Sequence, residues 1–197
     1  MGKNNDFFDL EKHYAFYAAY HSNPVNSLIH ILFVWPIIFT TLILLHFTPA
    51  LFEFPFQFPL GLVPNYGFLV SLIYASSYVF MDKIAGPLAA ILWFACWVSA
   101  NLVAKHLGFP LALKVVVAAQ LLLWTGQIIG HGVFEKRAAA LQGNLIQTFL
   151  MEPFYVFLEA LQLVFGYEPY PGFYTTVKAQ RDAEIKHFQG KEDKKIS

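Results

Sequence analysis

Charge is scarce in this chain. Only 13% of its 197 residues are Asp, Glu, Lys or Arg, about half the share usual in soluble domains. None occurs between Lys12 and Glu53, Glu53 and Asp82, Lys83 and Lys105, or Lys114 and Glu135. Each gap can hold one helix of about 20 apolar residues, the length that crosses the hydrocarbon of a membrane. Cysteine is nearly absent too, and the lone Cys96 excludes an internal disulfide or a thiolate metal cluster. A net charge of zero removes the basic footprint that a nucleic-acid partner requires, so none is expected. The chain lacks a glycine-rich phosphate-binding fingerprint, hence no separate organic cofactor is expected. The first stretch, "MGKNNDFFDLEK", lacks the apolar core of a signal peptide, and Asp6 stands where myristoylation wants Ser or Thr.

What remains is 57% hydrophobic. The gaps predict spans at 28–47, 66–81, 86–104 and 114–133. The expected fold is an all-α, polytopic membrane helix bundle: about four transmembrane helices, an N-terminal helix and a C-terminal interfacial helix. It forms a single membrane domain over 1–197, with a polar segment 1–12 and a basic tail 175–197. The stretch 48–65, "TPALFEFPFQFPLGLVPN", reads as an irregular loop at the membrane interface, because its prolines break helices and its phenylalanines favour that depth. Residues 145–166 are apolar but carry Glu152, Pro153 and Glu159. A charge in hydrocarbon costs about 2.5 kcal/mol or more on insertion scales. Two glutamates seven apart share a face, which predicts a helix lying in the headgroup plane rather than a fifth crossing.

Orientation follows from the basic residues. With four spans, Lys3, Lys12, Lys83, Lys136, Arg137 and the tail lysines share one side, against Lys105 and Lys114 on the other. The richer side is cytosolic by the positive-inside tendency, which puts both termini in the cytosol. The last residues, "KKIS", fit the dilysine pattern that returns membrane proteins to the endoplasmic reticulum.

This topology sorts the histidines. His21, His30 and His131 fall at the cytosolic edge, His46 and His106 at the far edge, while His13 and His187 read as solvated. In "YHSNPVNSLIH", Asn23 and Pro24 predict a helix start, with Asn as N-cap and Pro in the first turn. Asn26 and His30 then share a face, as do Gln127, His131 and Glu135, each four apart. Gly126 and Gly130 form a small-xxx-small pair that admits a close neighbour. Tyr14, Tyr17 and Tyr20 read as an aromatic belt. Imidazoles without thiolates at one depth suggest iron, zinc, copper or nickel, and nitrogen ligation with open positions suits non-haem Fe(II) oxygen chemistry. The closely spaced histidine boxes of membrane desaturases are missing.

"YHSNPVNSLIH", with "GQIIGHGVFEKRAAAL" far downstream, resembles the eukaryotic 2-hydroxy fatty acid dioxygenase family, once described only as a membrane domain of unknown function. The resemblance runs over about residues 9–187. It implies an endoplasmic reticulum membrane enzyme that uses Fe(2+) and O2 to shorten long-chain 2-hydroxy fatty acids by one carbon, an α-oxidation step in phytosphingosine breakdown. It carries His21, His30 and His131 over as metal ligands and adds His106 as a further one. Family members have Ala-Pro-Ala where this chain has Ala138, Ala139 and Ala140. Glu135 is expected to act as a base or to orient an imidazole. Lipid is the remaining partner, since the acyl chain would lie between helices. Two other readings stay open: a non-enzymatic lipid-binding scaffold whose histidines only anchor helices, and a zinc-dependent hydrolase.

Overall fold

The computed structural model describes residues 9–52, 55–56, 58–136 and 145–196. Arg137, the Ala138–Ala140 departure, Glu53 and the first eight residues lie outside them. Among the described residues all regular structure is helical: α1 (Leu10–Tyr20), α2 (Pro24–Leu45), a 3-10 turn (Pro59–Gly61), α3 (Tyr66–Met81), α4 (Ala85–Ile129), a π turn (Gly130–Glu135), α5 (Leu145–Phe165) and α6 (Phe173–Ile196). Two helical stretches are long and apolar enough to cross a membrane, Pro24–Leu45 and Ala85–Glu135, and Tyr66–Met81 is a shorter apolar helix. Packing divides the chain into two units, 29–128 and 1–28 with 129–197.

Within 29–128, α4 is two helices meeting at a kink, where Gly108 takes φ 69° and ψ 159°. Glycine tolerates this conformation because it has no Cβ, and Pro110 suits the first turn of the helix that follows. The contacts give the directions. Trp35 meets Trp93, and His46 meets Asn101, so the arm 85–107 runs parallel to α2. Gln120 donates to Ile37, Thr40 and Thr41, while the ring of Phe33 fills the space beside Gly126, so the arm 109–129 runs back. Phe68 and Tyr74 of α3 stack near Trp97 and Trp93, antiparallel to the first arm. The four stretches form an up-down-up-down bundle.

Small residues let these helices approach closely. Ala85, Ala89, Ala100 and Ala104 are fully buried on one stripe of α4, and their short side chains leave room for a neighbouring helix. The expected role of Gly126 as a close-approach site holds, because a Cβ there would collide with Phe33. Polar side chains act as glue and caps. Asn65 caps α3 by accepting from Phe68 N–H at 3.2 Å and donates to the His46 carbonyl at 3.1 Å. His46 Nδ1 lies 2.6 Å from Asn101 Oδ1. In the 48–65 stretch, Lys105 Nζ donates to the carbonyls of Leu60 and Gly61, both at 2.7 Å.

In the other unit, Asp9 caps α1 by accepting from Lys12 N–H at 3.1 Å. Helix α1 packs along α6 and against α5. Its Tyr14 sits among Tyr17, Tyr155, Phe173 and Tyr174, with ring centroids 5.5–5.9 Å apart. This corrects the aromatic-belt reading: Tyr14 and Tyr17 are buried core residues. Helix α5 ends in a Schellman motif, with Gly166 at φ +65° and Tyr167 N–H returning to the Leu161 carbonyl. Its glutamate face also differs from the expectation. Met151, Phe154, Tyr155 and Leu158 are buried beside Glu152 and Glu159, and both carboxyls face α1 and the start of α2 rather than water.

Candidate metal centre

The corner between α1 and α2 is built by capping. Asn23 Oδ1 accepts from Val25 N–H at 2.9 Å, confirming it as the cap of a helix that opens with Pro24. Glu135 then closes over the same corner. Its Oε1 accepts from the Ser22 N–H at 3.2 Å and the Ser22 hydroxyl at 2.5 Å. Its Oε2 accepts from Asn23 N–H at 2.9 Å and Asn26 Nδ2 at 3.2 Å. A carboxylate at a helix N-terminus is favoured by the dipole as well as by these bonds. Asn26, fully buried, also donates to the Tyr20 carbonyl at 3.1 Å, tying α2 to the end of α1.

Glu135 reaches the corner because the helix changes pitch beneath it. Residues Gly130–Glu135 form a π turn, closed by Lys136 N–H on the His131 carbonyl, and Lys136 then turns left-handed at φ 56°. Single π turns recur at functional sites, where they re-aim a side chain. Here the turn carries His131, which is buried, at its start and Glu135 at its end.

His21 is held from several directions. Its Nδ1 lies 2.9 Å from the Tyr17 carbonyl. A carbonyl can only accept, so Nδ1 carries the proton and Nε2 is the nitrogen whose lone pair can ligate a metal. The Tyr17 ring stacks on the imidazole at 4.1 Å, and the Tyr17 hydroxyl donates to Glu159 Oε2 at 2.9 Å. Glu159 also accepts from the Ser27 hydroxyl. Burial raises the Glu159 carboxyl above its ordinary value, and its two hydrogen bonds partly offset that. Glu152 Oε1 lies 3.9 Å from His21 Nε2, and burial pushes this carboxyl up to about 7. The rings of His21 and His131 meet edge to face at 4.9 Å.

His30 follows Asn26 by one turn on the continuous helix α2 and is buried. His21, His30 and His131 each offer a ring nitrogen, and these atoms all lie within 4.8 Å of one another. The donor set fits a first-row metal: imidazole nitrogens, no thiolate, and a number of ligands that leaves positions open.

His106 does not join them. Within the 29–128 unit it is exposed, two residues before Gly108 and five beyond Asn101, whose partner His46 ends α2. His30 and His46 are separated by roughly 24 Å of helix at about 1.5 Å per residue, so the bundle carries His106 to the end opposite His30. Glu135 is at the corner, but as a cap for 22–26. Tyr17, Ser22, Glu152 and Glu159 were not singled out by sequence as parts of the site. The one available sign was Tyr17, one helical turn before His21.

The family described as 2-hydroxy-palmitic acid dioxygenase Mpo1-like matches residues 7–164. The 2-hydroxy-palmitic acid dioxygenase MPO1 of Saccharomyces cerevisiae is 32% identical over 180 residues, covering 90% of this chain and 91% of the yeast protein. No solved structure matches. With its motif histidines converging as described and similarity along nearly its whole length, the chain belongs to the Mpo1-like family of 2-hydroxy-palmitic acid dioxygenases.

Proposed function

We propose that the chain is a dioxygenase of long-chain 2-hydroxy fatty acids, using Fe(II) held by His21, His30 and His131 to shorten the acid by one carbon. The observation that carries this reading is the convergence of three imidazole nitrogens within 4.8 Å of one another in a family of such dioxygenases. When bound, iron supplies the one-electron chemistry that lets dioxygen react with a closed-shell organic acid. The overall change balances without an external reductant: the hydroxy acid and one O2 give the shorter acid, carbon dioxide and water.

The side chains preorganise this chemistry. Tyr17 fixes the His21 tautomer and ring plane. Glu135 holds residues 22–26 and so sets the distance between His21 and the first turn of α2. Glu159 ties Tyr17 to Ser27, one turn before His30. Burial of His30 and His131 keeps bulk water from the ligating nitrogens. In this reading Glu135 is a positioning residue rather than a base, because both of its oxygens are engaged. We also propose four crossings, α2, α3 and the two arms of α4, with both termini in the cytosol at the endoplasmic reticulum. The up-down-up-down order supports this, as does the reversal at Gly108.

The test is turnover by the purified full-length chain. With Fe(II), O2 and 2-hydroxypalmitate, it should consume oxygen and release the acid one carbon shorter. No consumption by iron-loaded, folded protein overturns the proposal.

A further inference from the structure

One buried polar side chain has no part in the site as described so far. Gln127 is only 6% exposed, and its amide nitrogen has no hydrogen-bond partner among the described residues. An amide donor removed from water and given no acceptor weakens a fold, and such groups persist where something else uses them. Gln120, on the same arm, shows what a structural glutamine does. Its nitrogen donates to the Ile37 carbonyl and to the Thr40 and Thr41 hydroxyls, and its oxygen accepts from Trp124. Gln127 does nothing comparable with its nitrogen.

Its place on the helix says which face carries the donor. Gln127 precedes His131 by four residues, so the two side chains leave the same face about one turn, or 5.4 Å of rise, apart. The neighbouring Gly126 is closed off by Phe33, one turn beyond His30 on α2. The donor is therefore on the stretch of helix that leads into the three-histidine group. No Lys or Arg occurs between Lys114 and Lys136, so an anion entering beside this face meets no cation from this helix.

We propose that Gln127 binds the substrate carboxylate, its amide N–H groups donating to a carboxylate oxygen while the 2-hydroxyl faces the histidines. The inference rests on reading the site as one for 2-hydroxy acids. The chemistry selects the carboxylate: it only accepts, it is the stronger acceptor, and a primary amide supplies donors without charge. A neutral donor in a dry site orients the acid head without the desolvation cost that a buried lysine or arginine would bring. Gln127 thus sets specificity for a free 2-hydroxy acid over its ester or the corresponding alcohol.

The experiment compares the full-length wild type with Gln127→Met, which keeps length and loses the donor, and Gln127→Glu, which replaces donors with acceptors. Iron content, thermal midpoint without substrate, and anaerobic binding of 2-hydroxypalmitate and its methyl ester are measured on each. The expected result is unchanged iron in both variants. Binding of 2-hydroxypalmitate should weaken about tenfold in Gln127→Met and further in Gln127→Glu, while the methyl ester binds wild type and Gln127→Met equally. The thermal midpoint of Gln127→Met should equal or exceed that of wild type, because an unpaired donor has been removed. Loss of iron in Gln127→Met, or binding of the acid unchanged with iron retained, overturns the inference. A lowered midpoint also overturns it, by showing that the amide serves the fold. Failure of wild type to bind the acid at all instead removes the reading on which the inference rests.

Discussion

At both ends of α2 a histidine and an asparagine have buried or half-buried polar partners, and the two ends differ in what those partners are. At the end of α2, His46 Nδ1 meets Asn101, and the neighbours are an amide, backbone carbonyls and a lysine that caps a turn. At the start of α2, Asn26 is bonded to Glu135, and His21 lies beside Glu152, Tyr17 and His131. The first arrangement satisfies donors and acceptors within the fold. The second gathers imidazoles, with a carbonyl holding His21 at Nδ1 and the Glu135 carboxylate holding the backbone of Ser22 and Asn23 beside it. On the proposed reading, a histidine at a helix end acquires a chemical role from what occupies its other nitrogen and from its neighbours.

The largest test of this difference is removal of the imidazoles. His21→Ala, His30→Ala and His131→Ala should each lower iron affinity by more than about a hundredfold, beyond the range for supporting groups. His46→Ala and His106→Ala should leave iron within about twofold, read by metal analysis of purified protein. A tenfold iron loss in His106→Ala would break the contrast between the two ends.

Next is the cap. Glu135→Ala strips four acceptor bonds from residues 22–26 and should destabilise the protein by about 1–2 kcal/mol, as for a lost helix cap, with about tenfold weaker iron binding. Glu135→Gln keeps one acceptor oxygen and should recover part of both, measured by thermal unfolding and iron titration. Gly126→Val tests the bundle rather than the corner. The added side chain meets the Phe33 ring, and overpacking of this kind costs about 1–3 kcal/mol. Unfolding should shift accordingly, and a Phe33→Ala background should relieve it.

The smallest effect is the pH dependence of Glu159. Its carboxyl is raised above the ordinary glutamate value of 4.5, mainly by burial. The folded state thus holds its proton more tightly than the unfolded one. Its contribution is most favourable below about 4.5 and is lost as pH rises through the raised value. Glu159→Gln should flatten that decline in the iron-free protein, checked by thermal midpoints from pH 4 upward. An unchanged slope would assign it elsewhere.

Much of the 29–128 bundle was legible because charge gaps mark where apolar helices begin and end. The single-residue turn at Gly108 was not, since a loop and a glycine kink followed by Pro110 look alike when only hydropathy is followed. The Asn-Pro cap and the three histidines were legible from local spacing. Tyr17 with Glu159 was hidden because the partners are 142 residues apart in sequence, and two glutamates seven apart suit a wet face as well as a buried one. The π turn was invisible for a related reason: it differs from an α turn by one residue, yet it decides that Glu135 caps α2. His106 was carried by resemblance alone, and the first arm of α4 places it at the end of the bundle opposite His30.

Metal content of the purified full-length chain tests the central claim most directly. Wild type reconstituted with Fe(II) should retain close to one iron per chain after desalting, and the His21→Ala/His131→Ala double variant, still folded in detergent, should retain almost none. Equal retention by the two proteins, or zinc held in place of iron by active wild type, would contradict a three-histidine iron centre at the α1–α2 corner.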